Sequence, residues 1–273
     1  VAYYSKIDVY TYAELMQSIL GEQYETLPAN SNGNKCCFEY MDDVPNDAKY
    51  DSIVVDEAQD FDIEMGLAIR SLLINDSDSS FYVFYDKNQN VFEMDFENAF
   101  AIDAPPYVLR YNIRNTGSIY QCAVERTNLG HDTVANSIVG VHPEIHNYNK
   151  PSQAVKALSL IVNRLVQKEF VPAESIVIVS DVPYANSILT GEQRIGAYNL
   201  VFKHYKDVAE NEICFKTAEE FKGLESDVVI YLTHEFTDIP SSTIDKRKDY
   251  VAITRARYYL YILNTKCKAI LGE

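Results

Sequence analysis

Apolar and polar positions alternate with two different periods along the first part of the chain. Continuous apolar runs of strand length occur at 51–56 (DSIVVD) and 80–86 (SFYVFYD), and the alternation in IDVYTY (7–12) also predicts a strand. Helical spacing of apolar residues predicts helices at 13–20 and 62–74. Strands separated by helices in this way indicate a parallel sheet covered on both faces.

The pattern is interrupted once and then restarts. Pro105 and Pro106 cannot continue a helix, which predicts a hinge near 104–110 and two domains, 1–106 and 107–273. Beyond the hinge, helices are expected at about 116–128, at 152–170 and through DYVAITRAR (249–257), and strands at 175–181, 211–217, 227–233 and 258–264. The predicted fold class is therefore α/β in both domains.

Composition narrows the class of protein. The net charge is −16 and the hydrophobic fraction is 47%, so nucleic acid, if bound, is expected in a local basic groove rather than over the whole surface. No apolar run reaches the roughly 18 residues that a bilayer span needs, and no secretory signal is evident. The lack of a bilayer-spanning run predicts no membrane association, and five cysteines without metal or disulfide spacing favour a reducing cytoplasm.

Two carboxylates end the first buried strand, in the stretch IVVDEAQDF (53–61). Ligands of open α/β sheets collect outside the carboxyl ends of the strands. Asp56 is placed to hold Mg²⁺, largely through water, and Glu57 to polarise a water molecule. The alternative is that these acids merely cap the following helix.

Five motifs occur in a single order and resemble motifs II to VI of the UvrD/Rep family of superfamily 1 DNA helicases. VYTYAELM (9–16) also resembles a short motif of the family, and the resemblance covers nearly the whole chain. It implies two RecA-like P-loop NTPase domains with parallel sheets flanked by helices, the first of them truncated. The five motifs are DEAQD (56–60), YDKNQNVF (85–92), LRYNIRNTGSI (109–119), KTAEEFKGLESDVVIYL (216–232) and DYVAITRARYYLYI (249–262).

The resemblance implies an ATP and Mg²⁺ site in the cleft between the domains. In the first domain, Asp56 would hold the metal and Glu57 would activate the attacking water. Gln89 would sense the γ-phosphate, while Gln59 and Asp60 would face the machinery that couples nucleotide to nucleic acid. Taken alone, Gln89 is more typical of a polar turn after a strand.

The second domain would complete this nucleotide site. Arg114 and Arg255 match the two arginines that neutralise charge on the γ-phosphate, and Glu225 matches a glutamate that contacts the nucleotide sugar. Taken alone, either arginine would more often lie in a surface salt bridge.

Single-stranded DNA is the partner that the resemblance implies, with movement from 3′ to 5′. Thr217 and Lys222 match positions that contact DNA, and Phe92 or Phe96 would replace an expected tryptophan that stacks on a base. The chain departs from the family pattern at three further positions, which are Tyr85 for glycine, Glu219 for histidine and Ser226 for an aromatic residue.

A phosphate-binding loop of the form G-x-x-x-x-G-K-[ST] does not occur in these residues. We therefore expect the chain to continue on its N-terminal side, and we expect this part alone not to hydrolyse ATP. The short spacing between Thr116 and Thr217 resembles compact helicases that are fused to nuclease modules. The alternative function is a nucleotide-dependent regulatory or scaffold module of a DNA repair or defence assembly.

Overall fold

The computed structural model describes residues 7–30, 33–74, 79–103, 105–234 and 242–265. The chain divides into two compact units, Val1–Pro106 and Tyr107–Glu273. The hinge and the assignment of these units to helicase domains stay predictions. Within the described residues, no helix combines the length and the apolar character that crossing a bilayer requires.

In its described residues, the first unit contains a two-stranded parallel sheet and four α-helices. Strands β1 (Ser52–Val55) and β2 (Ser80–Val83) pair in register, with Val54 opposite Tyr82. The elements are α1 (Tyr12–Leu20), α2 (Glu22–Thr26), β1 (Ser52–Val55), α3 (Ile63–Arg70), β2 (Ser80–Val83) and α4 (Phe96–Ala99).

The strand predicted at 7–12 is wrong. Thr11 and Glu14 form a capping box, so the chain enters α1 at Tyr12. Ile7 and Val9, which carried the alternation, are 81% and 87% exposed, and residues 7–11 adopt no strand structure. Alternation alone does not supply the neighbouring strand that a β-strand needs for its hydrogen bonds.

One face of the first unit's sheet packs on a core, and the other does not. Val55 and Leu72 belong to the buried cluster under the sheet, together with residues of α1, α3 and α4. Val54, Tyr82 and Phe84 on the opposite side are exposed.

The second unit is built on a seven-stranded sheet with the order β3-β9-β8-β4-β7-β6-β5. All neighbouring strands are parallel except β5 and β6. Its elements are α5 (Gly117–Thr127), β3 (Glu144–Tyr148), α6 (Pro151–Lys168), β4 (Ile176–Ser180), β5 (Arg194–Ile195), β6 (Tyr198–Val201), β7 (Glu212–Thr217), β8 (Ser226–Thr233), α7 (Thr243–Thr254) and β9 (Ala256–Thr265).

Helices cover both faces of this sheet. Every residue of the central strand β4 is buried. Ile176 and Ile178 pack with Leu158 of α6 on one side, whereas Val177 and Val179 pack with residues of α5 and α7 on the other. The predicted α/β fold class, with a mostly parallel sheet flanked by helices, is thereby confirmed.

The predicted elements differ from the structure mainly at their ends and at the sheet edges. The helix predicted at 62–74 ends at Arg70, and the last helix starts upstream at Thr243, where Ser242 and Asp245 form a capping box. Strands β3, β5 and β6 were not predicted. They lie towards the two edges of the sheet, where half-polar sequences such as EIHNY (144–148) suffice.

Candidate functional site

Asp56 and Glu57 lie immediately beyond the last residue of β1, at its carboxyl end. Asp56 is exposed and accepts a hydrogen bond of 2.9 Å from the Glu57 N–H. The helix cap is a different residue, because Asp62 accepts from the Met65 N–H at the start of α3. Capping of α3 therefore does not account for Asp56 or Glu57.

Gln59 ties the ends of the two strands together. Its side chain is fully buried, and its Nε2 donates to Glu57 Oε2. Its Oε1 accepts from the backbone N–H of Asp86, at 2.9 Å, just beyond β2. Because an unpaired buried amide costs about 1–3 kcal/mol, this pair of contacts fixes where the Glu57 carboxylate lies.

The same network reaches Gln89. Its Nε2 donates to Asp86 Oδ2 over 2.8 Å, and Asp86 Oδ1 accepts from the Asn88 N–H. The structure therefore connects Glu57, Gln59 and Gln89 through Asp86, a residue that the sequence did not single out. Its position directly after a strand is the signal that could have indicated it.

The exposed carboxylate of Asp56 fits a magnesium ion that is shared with a nucleotide. Mg²⁺ is usually held by one or two carboxylates, with phosphate oxygens and water completing its octahedral shell. In the part of the chain that the structure describes, no three His, Cys, Asp or Glu side chains converge into a complete metal cage. Asp56, through water, is thus the residue that would hold this ion.

The two phenylalanines considered for base stacking differ in exposure. Phe96 is buried and packs against Tyr85, with ring centroids 4.9 Å apart. Phe92 is about half exposed. Only Phe92 therefore presents a ring to solvent, and the bulky Tyr85 has a packing role in place of the expected glycine.

In the second unit, two arginines converge on Glu225. Arg114 Nε lies 3.1 Å from Glu225 Oε2, and Arg257 Nε lies 3.5 Å from Glu225 Oε1. Arg257 also contacts Asp227, at 3.2 Å. Sequence reasoning missed Arg257, although it follows Arg255 by two positions in the same TRAR stretch.

The loop that carries Arg114 is anchored by its neighbour. Asn115 is buried, and its Nδ2 donates to the backbone oxygens of Thr254 and Ala256 at 2.8 and 2.6 Å. These contacts bring residues more than 130 positions apart together at the start of β9. Arg114 itself remains about two-fifths exposed.

Arg255 is placed differently from Arg114. Its side chain is 1% exposed, and its guanidinium donates to the carbonyl oxygens of Val251 and Leu224 at 3.2 and 3.3 Å. Contact between Arg255 and a phosphate stays a prediction. In this structure, Arg255 positions the backbone next to Glu225.

The predicted site residues of the second unit lie at opposite ends of its parallel strands. Here the amino edge and the carboxyl edge of the sheet mean the sides on which the strands begin and end. Glu225 directly precedes β8, and Arg255 directly precedes β9, so both mark the amino ends of parallel strands. Thr217 is the last residue of β7, at the carboxyl edge. Strand β8 has eight residues, so the two edges are about 25 Å apart, and the segment 218–225 connects them.

Two departures from the family pattern have structural partners. Glu219 forms an ion pair of 2.6 Å with Lys248, which offsets the repulsion that an acid there would exert on phosphate. Ser226 is buried. Its hydroxyl accepts a hydrogen bond from the Tyr205 hydroxyl and donates one to the Ser175 carbonyl, so an aromatic side chain would not fit there. Lys222 lies half-buried in the connecting segment.

No protein-family model matches the chain, and none of the curated proteins matches it. Solved structures that are similar to it include the C-terminal domain of a possible DNA helicase from Lactobacillus plantarum WCFS1, at 12% identity and a TM-score of 0.42. That match covers 56% of this chain and 88% of that one.

A second similar structure is arterivirus nonstructural protein 10, a helicase solved in complex with DNA. It is 13% identical with a TM-score of 0.41, and the match covers 78% of this chain and 39% of the viral one. The chain thus spans well under half of the viral protein's length.

Proposed function

We propose that the chain is the core of an ATP-dependent motor that moves on single-stranded DNA, of the UvrD/Rep helicase type. The observation that carries this proposal is the segment 217–225. It begins at Thr217 on the carboxyl edge of the second unit's sheet and ends at Glu225, beside Arg114, on the amino edge. One short segment therefore links the proposed DNA contact to the proposed nucleotide contact.

The proposed chemistry at the first unit begins with the two acids. Mg²⁺, when bound, would neutralise charge on the nucleotide phosphates. Asp56 would hold that ion, and Glu57 would accept a proton from the attacking water. Gln59 supports this role because its buried amide orients the Glu57 carboxylate.

Gln89 would report the state of the nucleotide to the rest of the first unit. Its contact with Asp86, and the contact of Asp86 with Gln59, support such coupling. A change in the Glu57 carboxylate would pass through Gln59 to the turn that leads to Phe92, the proposed base contact. Movement from 3′ to 5′ is part of this proposal.

In the second unit, Arg114 would neutralise charge that develops on the γ-phosphate. Its partial exposure supports this role, and its ion pair with Glu225 would exchange for the phosphate when nucleotide binds. Glu225 would keep Arg257 as a partner and turn to the sugar. Arg255 would contact phosphate only after its carbonyl contacts are exchanged.

The test uses the full-length protein and the variant Glu57→Gln, with ATP hydrolysis measured in the presence and absence of single-stranded DNA. We expect hydrolysis to fall by about 10²–10⁴-fold in the variant, while binding of a fluorescent ATP analogue persists. Glu22→Gln, an exposed glutamate on α2, is the matched control and should hydrolyse ATP normally. Unchanged hydrolysis in Glu57→Gln would refute the proposed role of this carboxylate.

DNA dependence separates the motor from the regulatory alternative. A motor requires that single-stranded DNA stimulates hydrolysis and that the protein moves along it. Nucleotide binding without any response to DNA would instead favour the regulatory or scaffold module. The 273 residues tested alone should show no turnover, because the phosphate-binding loop is not among them.

A further inference from the structure

A cavity of about 370 Å³ opens at the carboxyl ends of β4 and β7. Asp181, which follows β4, and Thr217, which ends β7, both line it. Its volume is within the range of small-molecule sites in proteins, which is about 300–1,000 Å³. The described residues around it all belong to the second unit.

One wall of the cavity is aromatic. Phe202 and Tyr184 pack edge to face with centroids 4.7 Å apart, and the buried Phe215 supports both rings from 5.9 and 5.7 Å. Phe202 is 48% exposed, so part of its ring faces the solvent side of this wall. An aromatic ring held in this way is a platform on which a planar heterocycle stacks, at about 1–3 kcal/mol per base in nucleic-acid complexes.

The cavity also has a polar lining residue, Asp181, whose carboxylate is held in a fixed orientation. Asp181 Oδ2 accepts from the His234 backbone N–H at 2.8 Å, and Asp181 Oδ1 contacts His234 Nδ1. His234 is buried, and its Nε2 accepts from the Ile188 N–H, so the ring proton belongs on Nδ1 and is donated to Asp181. Each Asp181 oxygen keeps a lone pair for a further donor.

The charges of the lining decide which part of a nucleotide fits. Among the described residues that line the cavity, there are three carboxylates, those of Asp181, Glu219 and Glu220, and two ammonium groups, those of Lys216 and Lys248. Glu219 and Lys248 neutralise each other, which leaves two acids against one base. Since this balance repels phosphate, an uncharged group that donates hydrogen bonds is favoured inside the cavity.

We propose that this cavity binds a nucleobase with an exocyclic amino group, presented by a single strand whose backbone passes Thr217. The inference rests on the proposed function, because it requires a single strand at this edge of the sheet. Phe202 stacks on the base, and Asp181 accepts from its amino group, as acidic side chains do from cytosine N4. Cytosine is therefore preferred over thymine, which presents an acceptor at the same position.

The test measures binding of fluorescein-labelled (dC)₁₂ and (dT)₁₂ to the 273-residue chain by fluorescence anisotropy. We expect (dC)₁₂ to bind about tenfold more tightly than (dT)₁₂, the size expected for one hydrogen bond to a charged acceptor. Asp181→Asn should bring this ratio close to one. Both oligonucleotides bind the same folded molecules of a sample. Partial unfolding of the variant therefore leaves the ratio of the two affinities unchanged.

Phe202→Ala should weaken binding of both oligonucleotides about tenfold, because the stacking platform is lost. Phe170→Ala is the matched control, since Phe170 is an exposed phenylalanine of the same unit that does not line the cavity. Equal weakening by Phe170→Ala would overturn the assignment of the base to this wall.

Equal affinity of the wild-type chain for (dC)₁₂ and (dT)₁₂, or binding of neither, overturns the inference. The motor proposal is judged separately, by stimulation of ATP hydrolysis in the full-length protein. Two further probes identify the source of the base. Tighter binding of (rC)₁₂ than of (dC)₁₂ would assign the cavity to RNA, and competition by deoxycytidine monophosphate at equal nucleotide concentration would overturn the requirement for a strand.

Discussion

The two units solve the problem of burying a parallel sheet in different ways. In the second unit, helices α5, α6 and α7 cover both faces of seven strands, and strand β4 is completely buried. In the first unit, the two strands bury one face and expose Val54, Tyr82 and Phe84 on the other. Parallel sheets are ordinarily covered on both sides, so the first unit departs from the general rule.

This difference extends to the candidate site residues. Glu57 and Gln89 are held by a chain of polar contacts through Gln59, at the end of a lightly covered sheet. Arg114 and Arg255 are held by loops anchored into a fully packed unit. Hydrogen bonds therefore position both groups, but those of the second group are made to a fully packed sheet and helix, whereas those of the first lie at the end of a sheet with one open face.

The largest expected effect concerns the buried ion pair of the second unit. Arg126 of α5 contacts Asp249 of α7, and both side chains are less than a tenth exposed. Arg126→Ala leaves a buried carboxylate without its cation, so we expect the free energy of unfolding to fall by about 3–5 kcal/mol. Urea denaturation measures this loss.

Arg164→Ala is the control for that substitution. Arg164 also pairs with an acid, Glu144, but the side chain is more than a third exposed, so its loss should cost about 1 kcal/mol or less. Similar losses in the two variants would show that burial does not govern these pairs.

The next expected effect is on the rate at which two cysteines of the second unit are alkylated. Burial raises the pKa of Cys122 and of Cys214 to about 11, from a normal value near 9. At pH 8 we expect iodoacetamide to modify both about 100-fold more slowly in the native protein than in urea, because fewer thiolates form. The folded state retains these protons to higher pH, so the contribution of these two thiols to stability should be constant below pH 9 and fall between pH 9 and 11.

The first unit offers a contrasting thiol. The pKa of Cys36 is also raised to about 11, but chiefly by a hydrogen bond to Glu64 and only secondarily by burial. Glu64→Ala should therefore accelerate alkylation of Cys36 and leave Cys122 unchanged. Mass spectrometry of the modified peptides measures both, and parallel acceleration of the two thiols would contradict this distinction.

A matched pair of valines tests the sheet faces directly. Val229→Thr places a hydroxyl at a fully buried position of strand β8, which should cost about 1–3 kcal/mol. Val54→Thr makes the same change on the exposed face of β1 and should alter stability by about 0.5 kcal/mol or less. A large loss in Val54→Thr would mean that the open face is covered in solution.

The smallest expected effect lies at Arg257. Its contacts with Glu225 and Asp227 are about two-fifths exposed, so Arg257→Ala should lower the free energy of unfolding by about 1 kcal/mol or less. Lys87→Ala, which removes the exposed pair with Glu97 in the first unit, should have a similarly small effect. A substantially greater cost at Arg257 would mean that the arginine cluster stabilises the second unit's fold.

The elements that the sequence predicted are those with a strong local pattern. Strands β1, β4 and β8 are continuous apolar runs, and such runs need no knowledge of their neighbours. Strand β3 escaped prediction because it lies at the sheet edge and contains two consecutive polar residues, His146 and Asn147, which break the alternation of a half-buried strand. The alternation at 7–12 misled because a helix cap at Thr11 takes precedence over it.

The sequence proposes residues for the candidate site but not the contacts that those residues make. Motif resemblance identified Gln59, Gln89 and Glu225, whereas the partners Asp86 and Arg257 follow from how distant segments meet. The pair of Glu219 and Lys248 joins residues on two different elements in the same way. Local patterns carry no information about such tertiary pairs.

Glu57 adopts a backbone conformation that is uncommon for residues other than glycine. Its backbone is left-handed, at φ 52° and ψ 38°, a region that glycine enters freely and that costs other residues about 1–2 kcal/mol. The turn after β1 would therefore be less strained with glycine at this position than with glutamate. Glutamate at this position therefore makes the fold less stable than glycine would. Because the fold does not need a carboxylate here, this cost is of the kind found at functional positions.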